Sequence, residues 1–304
     1  MFKNAYLFRL DAPFPLGTVE LDERLRSQRA RPCGPVEMSH LGWSDPLDEE
    51  KDAWFAHEIA GCILICATLH QRVLPAAAIM NALNERVRGI QDQEGRQVGR
   101  AERKRLREQL MTDMLPKSFQ QTRRIRAYID RQSDWLIVDS GSTSQAEDVA
   151  TLLRETLGSL PARPPFPGVD PAAVMTGWIA QAPPSDFYLG RGCELRDDDE
   201  VVRLSGLDLS SDEVLSHIGA GKKASVLDLF WDDRLSFTLT EDLVIKRLRV
   251  NEAIRDDAEL GDDPASQLEA DFALLALQMR LLLKRLETLF KLIDVDEQTQ
   301  RAAA

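Results

Sequence analysis

The stretch from Gly61 to Ile90, "GCILICATLHQRVLPAAAIMNALNERVRGI", changes its hydrophobic period at Pro75. Before the proline, "GCILICATL" is a run of apolar and β-branched residues, the pattern of a buried strand. After it, Ile79, Leu83, Val87 and Ile90 recur at helical spacing, as on a helix with one covered face. A buried strand that runs directly into an amphipathic helix implies mixed α and β structure, with the helix carried at the strand's end.

Upstream, "WFAHEIAG" pairs with the strand as a hairpin turning near Ala60-Gly61, "NAYLFRL" alternates as a strand, and "LDERLRSQRA" reads as a short helix broken by "RPCGP". Downstream, "DQEGRQVG" interrupts and a second helix is predicted from about Arg100 to Met114, ended by Pro116. "RRIRAYIDRQSDWLIVDSG" reads as a second hairpin turning near Gln132-Ser133. "TSQAEDVATLLRETLG" is a helix with Ser or Thr as N-cap, acidic residues in its first turn and Gly158 at its end. The Pro-rich "LPARPPFPGVDP" marks a boundary. Beyond it come a short helix around Trp178, strands near "DFYLG" and "EVVRLSG", and the helix "SSDEVLSHIGAG". Two more strands follow, "ASVLDLFW" and "RLSFTLTEDLVIKRLRV", and a long helix from about Pro264 to Ile293. The expected fold is α+β, with mixed antiparallel sheets. Residues 1–74 and 120–161 form an N-terminal unit, 75–119 an inserted helical tip, and 162–304 a C-terminal α+β unit closed by the long helix.

The chain has 304 residues, 43% hydrophobic and 29% charged, with net charge −12. That is the balance of a soluble globular protein. The N-terminus lacks the charged and apolar regions of a signal peptide. Gln278, Arg280, Lys284 and Arg285 interrupt the last helix, against a membrane span; a cytoplasmic protein is expected. Cys33, Cys62, Cys66 and Cys193 do not form a disulfide framework in a chain this long. Cys62 and Cys66 share one strand face and read as small buried hydrophobes. His40, His57, His70 and His217 show no zinc-ligand spacing. No metal, cofactor or catalytic residue is implied.

Against that acidic background, Gly95 to Arg126 holds ten basic and three acidic residues. On the second helix Arg100, Arg103, Lys104 and Arg107 fall within one stripe roughly 100° wide, with Leu106, Leu110 and Met114 along its edge. Arg96, Lys117, Arg123, Arg124 and Arg126 flank it. Such an array suits a phosphate backbone, whose neutralisation releases counterions; a solvated helix face is the other reading of the same residues. "HIGAGKKAS" is not a phosphate loop, because Ser216 stands where the early glycine is required; it reads as a helix cap entering a strand. The acidic groups Asp197-Asp198-Asp199, Asp232-Asp233 and Asp262-Asp263 raise a metal-dependent nuclease, but each stands in a turn or at a helix start. In the last helix, Phe272, Leu275, Met279, Leu282, Leu286, Leu289 and Ile293 alternate by three and four. The seam serves a core helix, or a helix giving one face to a partner.

The blocks "FKNAYLFRL", "RPCGPVEMSHLGW", "ILICATLHQRVLPAAAI", "LPKSF", "WLIVDSGSTSQAEDVATLLRETLGSLP" and "LEADFALLALQM", in that order along nearly the whole chain, resemble the RdgC family of recombination-associated proteins. The resemblance implies a non-catalytic nucleoid protein that binds DNA without strong sequence preference, double strands better than single. It further implies a ring-shaped homodimer with a basic hole, which restrains RecA-promoted recombination by occupying DNA. On that reading Arg96, Arg100, Arg103, Lys104, Arg107, Lys117, Arg123, Arg124 and Arg126 meet DNA. Phe119 and Leu115 at one contact, and Leu282, Leu286 and Leu289 at another, meet the second copy. The family often carries basic or amide residues on the strand edge before "DL(T/S)SEE"; here Ser205, Gly206 and Leu207 stand there, so the helical excursion is expected to carry more of the contact. A purely structural dimer is the remaining alternative.

Overall fold

The computed structural model describes residues 2–47, 53–256 and 263–293. Its first sheet contains β1 (Tyr6–Leu10), β2 (Ser39–Ser44), β3 (Ala56–Ile59), β4 (Cys62–Val73), β5 (Phe119–Asp130), β6 (Trp135–Val138) and β7 (Ala162–Arg163). Its order is β2-β4-β5-β6-β1-β7, and β3 also pairs with β4. β4 is long enough for β3 to pair with Cys62–Ile65 and β2 with Cys66–Gln71 along the same edge. The hairpin turn at Ala60-Gly61 lies where expected, with both residues at positive φ (52° and 76°). The spine is the β4–β5 ladder, in register from Cys62↔Asp130 to Val73↔Phe119.

Alternation along the strands splits the core into two clusters. Phe8, Ile63, Ile65, Ala127, Ile129, Leu136 and Val138 face α1 (Thr18–Ser27) and α4 (Thr143–Leu157). Leu7, Leu64, Tyr128, Trp135 and Ile137 face the other way. There they meet α8 (Pro264–Phe290) and a second sheet of order β12-β11-β10-β8-β9. Its strands are β8 (Phe187–Arg196), β9 (Val201–Ser205), β10 (Lys223–Trp231), β11 (Leu235–Thr240) and β12 (Ile245–Val250). The short helices α5 (Pro171–Ala180) and α6 (Asp212–Gly219) flank it, and α7 (Glu252–Asp256) follows β12.

Three details depart from the pattern-based expectation. "RLSFTLTEDLVIKRLRV" is two strands, not one. The Thr240 amide donates to the Val244 carbonyl, and the Thr240 hydroxyl accepts from the Val244 amide, closing a turn with Leu243 at φ 58°. β2 was not legible, because its exposure does not alternate. Its Gly42 is required by a close approach: a Cβ there would come within 2.7 Å of the Ala30 backbone, where Trp43 exchanges hydrogen bonds with Gln28 and Ala30. In α4 the cap is Ser142 and the end Gly158, as read, but Glu147 and Asp148 lie beyond the first turn, which has no acidic residue.

α8 is fixed by charge as well as by its apolar seam. Arg280 donates to both carboxylate oxygens of Asp130, at 2.7 and 3.0 Å, and Arg285 to both of Asp186, at 2.7 and 2.9 Å. Glu287 accepts from Arg9 at 3.0 Å and from the Trp135 indole at 3.2 Å. Burial pushes the Asp130 carboxyl up, but Arg280, Ser133 and the Gln132 amide outweigh it and hold it below the usual range.

This geometry yields a stability prediction. Arg280→Ala leaves the Asp130 carboxylate, 2% exposed, without its cation, a loss of about 3–5 kcal/mol in denaturant melts near pH 7. A carboxyl held low in the folded chain stabilises it above the ordinary carboxylate pKa, and that contribution vanishes as pH falls through the folded value. In the variant, burial dominates and protonation of Asp130 relieves the penalty. The gap between wild type and variant therefore narrows from pH 7 to pH 3; a constant gap would contradict this account.

Candidate nucleic-acid interface

The far end of the β4–β5 ladder leaves the layered core. From Phe119 to Arg123 every residue of β5 is exposed, whichever face it takes. Between the two strands the chain makes α2 (Ala76–Glu94), α3 (Arg100–Met114) and a 3-10 turn at Leu115–Lys117. α2 buries Ile79, Leu83 and Val87. α3 buries no residue fully; Leu106, Leu110 and Met114 are half-covered.

Arg72 holds this excursion to the ribbon. It is 8% exposed, and its guanidinium donates to the carbonyls of Leu115 (2.9 Å), Pro116 (3.3 Å) and Ser118 (3.3 Å). It also donates to Cys33 (3.3 Å) and Gly34 (3.1 Å). Among the described residues no carboxylate pairs with it. Its charge is met by carbonyl dipoles, including Leu115 at the C-cap of α3, the end of a helix that favours a cation.

The basic residues now separate by what they touch. Arg100 and Arg107 of the stripe are exposed and have no hydrogen bond or ion pair among the described residues. Lys117 and Arg123 are in the same condition. Arg103 makes one hydrogen bond, to Asn84 at 3.2 Å, and Lys104 lies 4.0 Å from Glu108 in an exposed pair, worth well under 1 kcal/mol. Arg96 differs: it pairs with Glu94 at 2.6 Å and Glu102 at 2.7 Å and pins the α2–α3 connection, so its charge is already met within the chain. Arg124 and Arg126 are half-buried and donate to the carbonyls of Asp45 and Pro46. Strand alternation also puts Arg123 on the opposite sheet face from them.

The expected self-contact residues separate as well. Phe119 is 88% exposed. Leu115 is buried, and Leu282 and Leu286 (0% and 2% exposed) lie in the chain's own core. The surfaces of Leu115, Leu282 and Leu286 are covered within the chain itself, which leaves little of them for a second copy. Leu289 packs partly against the same core. Arg105, exposed and unpartnered, and Arg86 and Arg88 of α2 extend the basic surface; they stand outside the stripe, so helical spacing did not select them.

The acidic groups serve the fold. Asp197 accepts from Lys222 at 2.6 Å and from the Asp199 and Glu200 amides; these bonds lower its pKa to about 2. Asp232 pairs with Arg234. Asp263 caps α8 through the amides of Ala265 and Ser266; Asp262 lies outside the described residues. Among the described residues no three His, Cys, Asp or Glu side chains are grouped to hold a metal ion. "HIGAGKKAS" is a helix end passing through Gly221 (φ 98°) into β10. No described helix is long and apolar enough to cross a membrane.

Comparison with known proteins finds relatives along nearly the whole chain. The family described as "Putative exonuclease, RdgC" matches residues 1–293. The "Recombination-associated protein RdgC" of Halorhodospira halophila is 37% identical over 293 residues, covering 94% of this chain and 96% of that protein. The protein of the same name from Pseudomonas aeruginosa is 37% identical over 282 residues (91% and 92%), and that from Tolumonas auensis 36% over 280 (90% and 92%). The chain belongs to the RdgC family of recombination-associated proteins.

Proposed function

We propose that this protein binds duplex DNA without sequence preference, through α3 and the adjoining end of β5, as a homodimer that closes around the duplex. By occupying DNA in the nucleoid it limits RecA-promoted recombination. The observation that carries this reading is the set of exposed, unpartnered cations Arg100, Arg107, Lys117 and Arg123 on one projecting excursion of a chain at −12. None of the four is held in one orientation by a partner, as bidentate reading of a base edge requires; unfixed cations spread over a helix and a strand suit phosphates. The acidic net charge of the remainder disfavours indiscriminate polyanion binding over the surface as a whole. Closure of the dimer rests on Phe119, which ends the excursion with its ring in solvent, beside the exposed Val73 opposite it. The residues 75–119 then act as one inserted tip, and Arg96 supports the tip's shape rather than the contact. The description of the family as an exonuclease supplies a second reading, hydrolysis at an acidic metal site.

A salt titration with a magnesium arm separates the two readings. Log affinity for duplexes of equal length and unrelated sequence falls linearly with log salt, by about 0.9 per phosphate neutralised, and magnesium releases no nucleotides. A flat salt response or a strong sequence preference counts against the binding reading, and magnesium-dependent shortening of the duplex establishes the nuclease.

Reversing Arg100, Arg103, Lys104 and Arg107 to Glu abolishes duplex retardation at moderate salt while the far-UV spectrum is unchanged, since all four side chains are exposed. Lys284→Glu, an exposed change on α8, leaves retardation within about twofold. Equal losses in the two variants would remove α3 from the interface.

A closed ring needs a second contact between copies besides Phe119, so Phe119→Ser keeps the solution mass of the dimer and changes unfolding free energy by less than about 1 kcal/mol, as an exposed substitution should. It selectively loses retention on covalently closed circles. Unfolding, or unchanged retention on circles, would contradict Phe119 as the closing contact.

A further inference from the structure

The outer face of the second sheet carries a feature that the duplex reading does not use. Strand register lines up Tyr188 (β8), Phe230 (β10), Ser236 (β11) and Arg249 (β12) in one transverse row. Their sequence neighbours Phe187, Trp231, Leu235 and Val250 are buried beneath. Three strand spacings make the row about 14 Å long. Tyr188 and Phe230 are 53% and 48% exposed, directly opposite each other and open to solvent.

Beside the aromatic pair lies a groove of about 380 Å³, lined by Arg191, Asp228, Arg247 and Arg249 among others. Two bulges shape it. On β8, register passes from Leu189 to Cys193 while β10 advances only from Leu229 to Leu227. On β12, it passes from Arg249 to Lys246 while β11 moves from Ser236 to Thr238. Bulges re-aim side chains, and the second one includes Arg247, at φ 52° and with its side chain 74% exposed. Asp228 lies across Gly190 and Gly192, where a Cβ would come within 2.6 and 2.4 Å of it. Its Oδ1 accepts from the Thr238 hydroxyl at 2.5 Å and lies 3.9 Å from the Arg247 guanidinium in a weak, partly exposed pair, and its Oδ2 has no hydrogen bond among the described residues. Asp228 is the one acidic residue lining the groove, against three arginines.

Aromatic faces, flanking arginines and one fixed carboxylate acceptor are together complementary to an unpaired nucleotide. The bases stack on the rings, the phosphates meet the guanidiniums, and the carboxylate accepts from an exocyclic base amine. We infer that the outer face of the second sheet is a binding platform for single-stranded nucleic acid, with Tyr188 and Phe230 stacking bases, Arg191, Arg247 and Arg249 meeting the backbone, and Asp228 favouring bases that carry an amino group. The platform uses none of the residues assigned to the duplex, so either reading can fail without the other.

Fluorescence anisotropy with labelled oligo-dC and oligo-dT twelve-mers, an abasic twelve-mer and a mixed-sequence duplex tests it on the full chain. Wild type binds oligo-dC more tightly than oligo-dT, and both more tightly than the abasic strand. Tyr188→Ala/Phe230→Ala weakens oligo-dC at least tenfold, the loss of about one stacked base, and leaves duplex affinity within twofold. Asp228→Asn erases the preference for dC over dT. Arg249→Glu, an exposed single change, weakens all three single strands and keeps the case testable should the double variant fold poorly. Absence of oligo-dC binding by the wild type, equal losses on single strand and duplex, or a changed oligomeric mass in the aromatic variant would each overturn the platform, the last by making the face an interface between copies.

Discussion

A buried guanidinium with no counter-carboxylate among the described residues sets the geometry of the projecting end of the molecule. Arg72 is placed by β4, one of the two longest strands, just where the ladder emerges from the core, and gathers carbonyls from residues 33–34 and from 115–118. A buried cation is costly unless hydrogen bonds replace its water. The observed packing supplies those carbonyls from both segments at once, so the charge acts as a constraint on where α3 ends and β5 begins. The basic stripe of α3, the exposed Phe119 and the first arginine of β5 all inherit their positions from that junction.

The opposite end of the ladder is held by the complementary device. Asp130 closes β5, is 2% exposed, and is met by Arg280 from a helix 150 residues further on. Arg285 with Asp186, and Arg9 with Glu287, repeat the theme along α8. Two of the polar residues that interrupt α8, Arg280 and Arg285, are thus partners for particular carboxylates, one at the end of β5 and one just before β8. They fix the angle and register of a helix whose apolar seam alone would tolerate sliding, while Phe2, Tyr128 and Phe272 fill the space between, with ring centroids 5.2 to 6.0 Å apart. The Leu282 and Leu286 seam faces that same space, so it serves the chain itself.

The chain's charge is organised more finely than its net value indicates. Basic residues near α3 divide between those that hold the excursion in shape, such as Arg96, and those left in water, such as Arg100 and Arg107. The acidic turns that resemble metal ligands in one dimension are taken up by Lys222, Arg234 and the amides of a helix start. Exposed cations gather at two separate places, the α3 excursion and the outer face of the second sheet, and both are proposed to meet the phosphates of a nucleic acid.

Much of this was legible in one dimension because hydrophobic period is a local property. The hairpin at Ala60-Gly61, the switch to helix after Pro75, the caps of α4 and the long α8 all followed from spacing and from Gly, Pro and Ser placement, and the ordered blocks along the chain pointed to the family. β2 escaped because its exposure is set by β4 and by the chain crossing at Ala30, not by alternation. Spacing grouped Arg123, Arg124 and Arg126, but a strand sends neighbours to opposite faces, and two of the three are turned toward the carbonyls of Asp45 and Pro46. The row from Tyr188 to Arg249 draws on residues up to 61 positions apart; nothing local marks it, because cross-strand register, bulges included, exists only once the strands have paired. Local sequence determined the elements and the sign of the surface. Which charges stay free, and which side chains meet, was decided by long-range pairing, where the cost of burying an unmatched polar group selects among arrangements that local preferences leave equal.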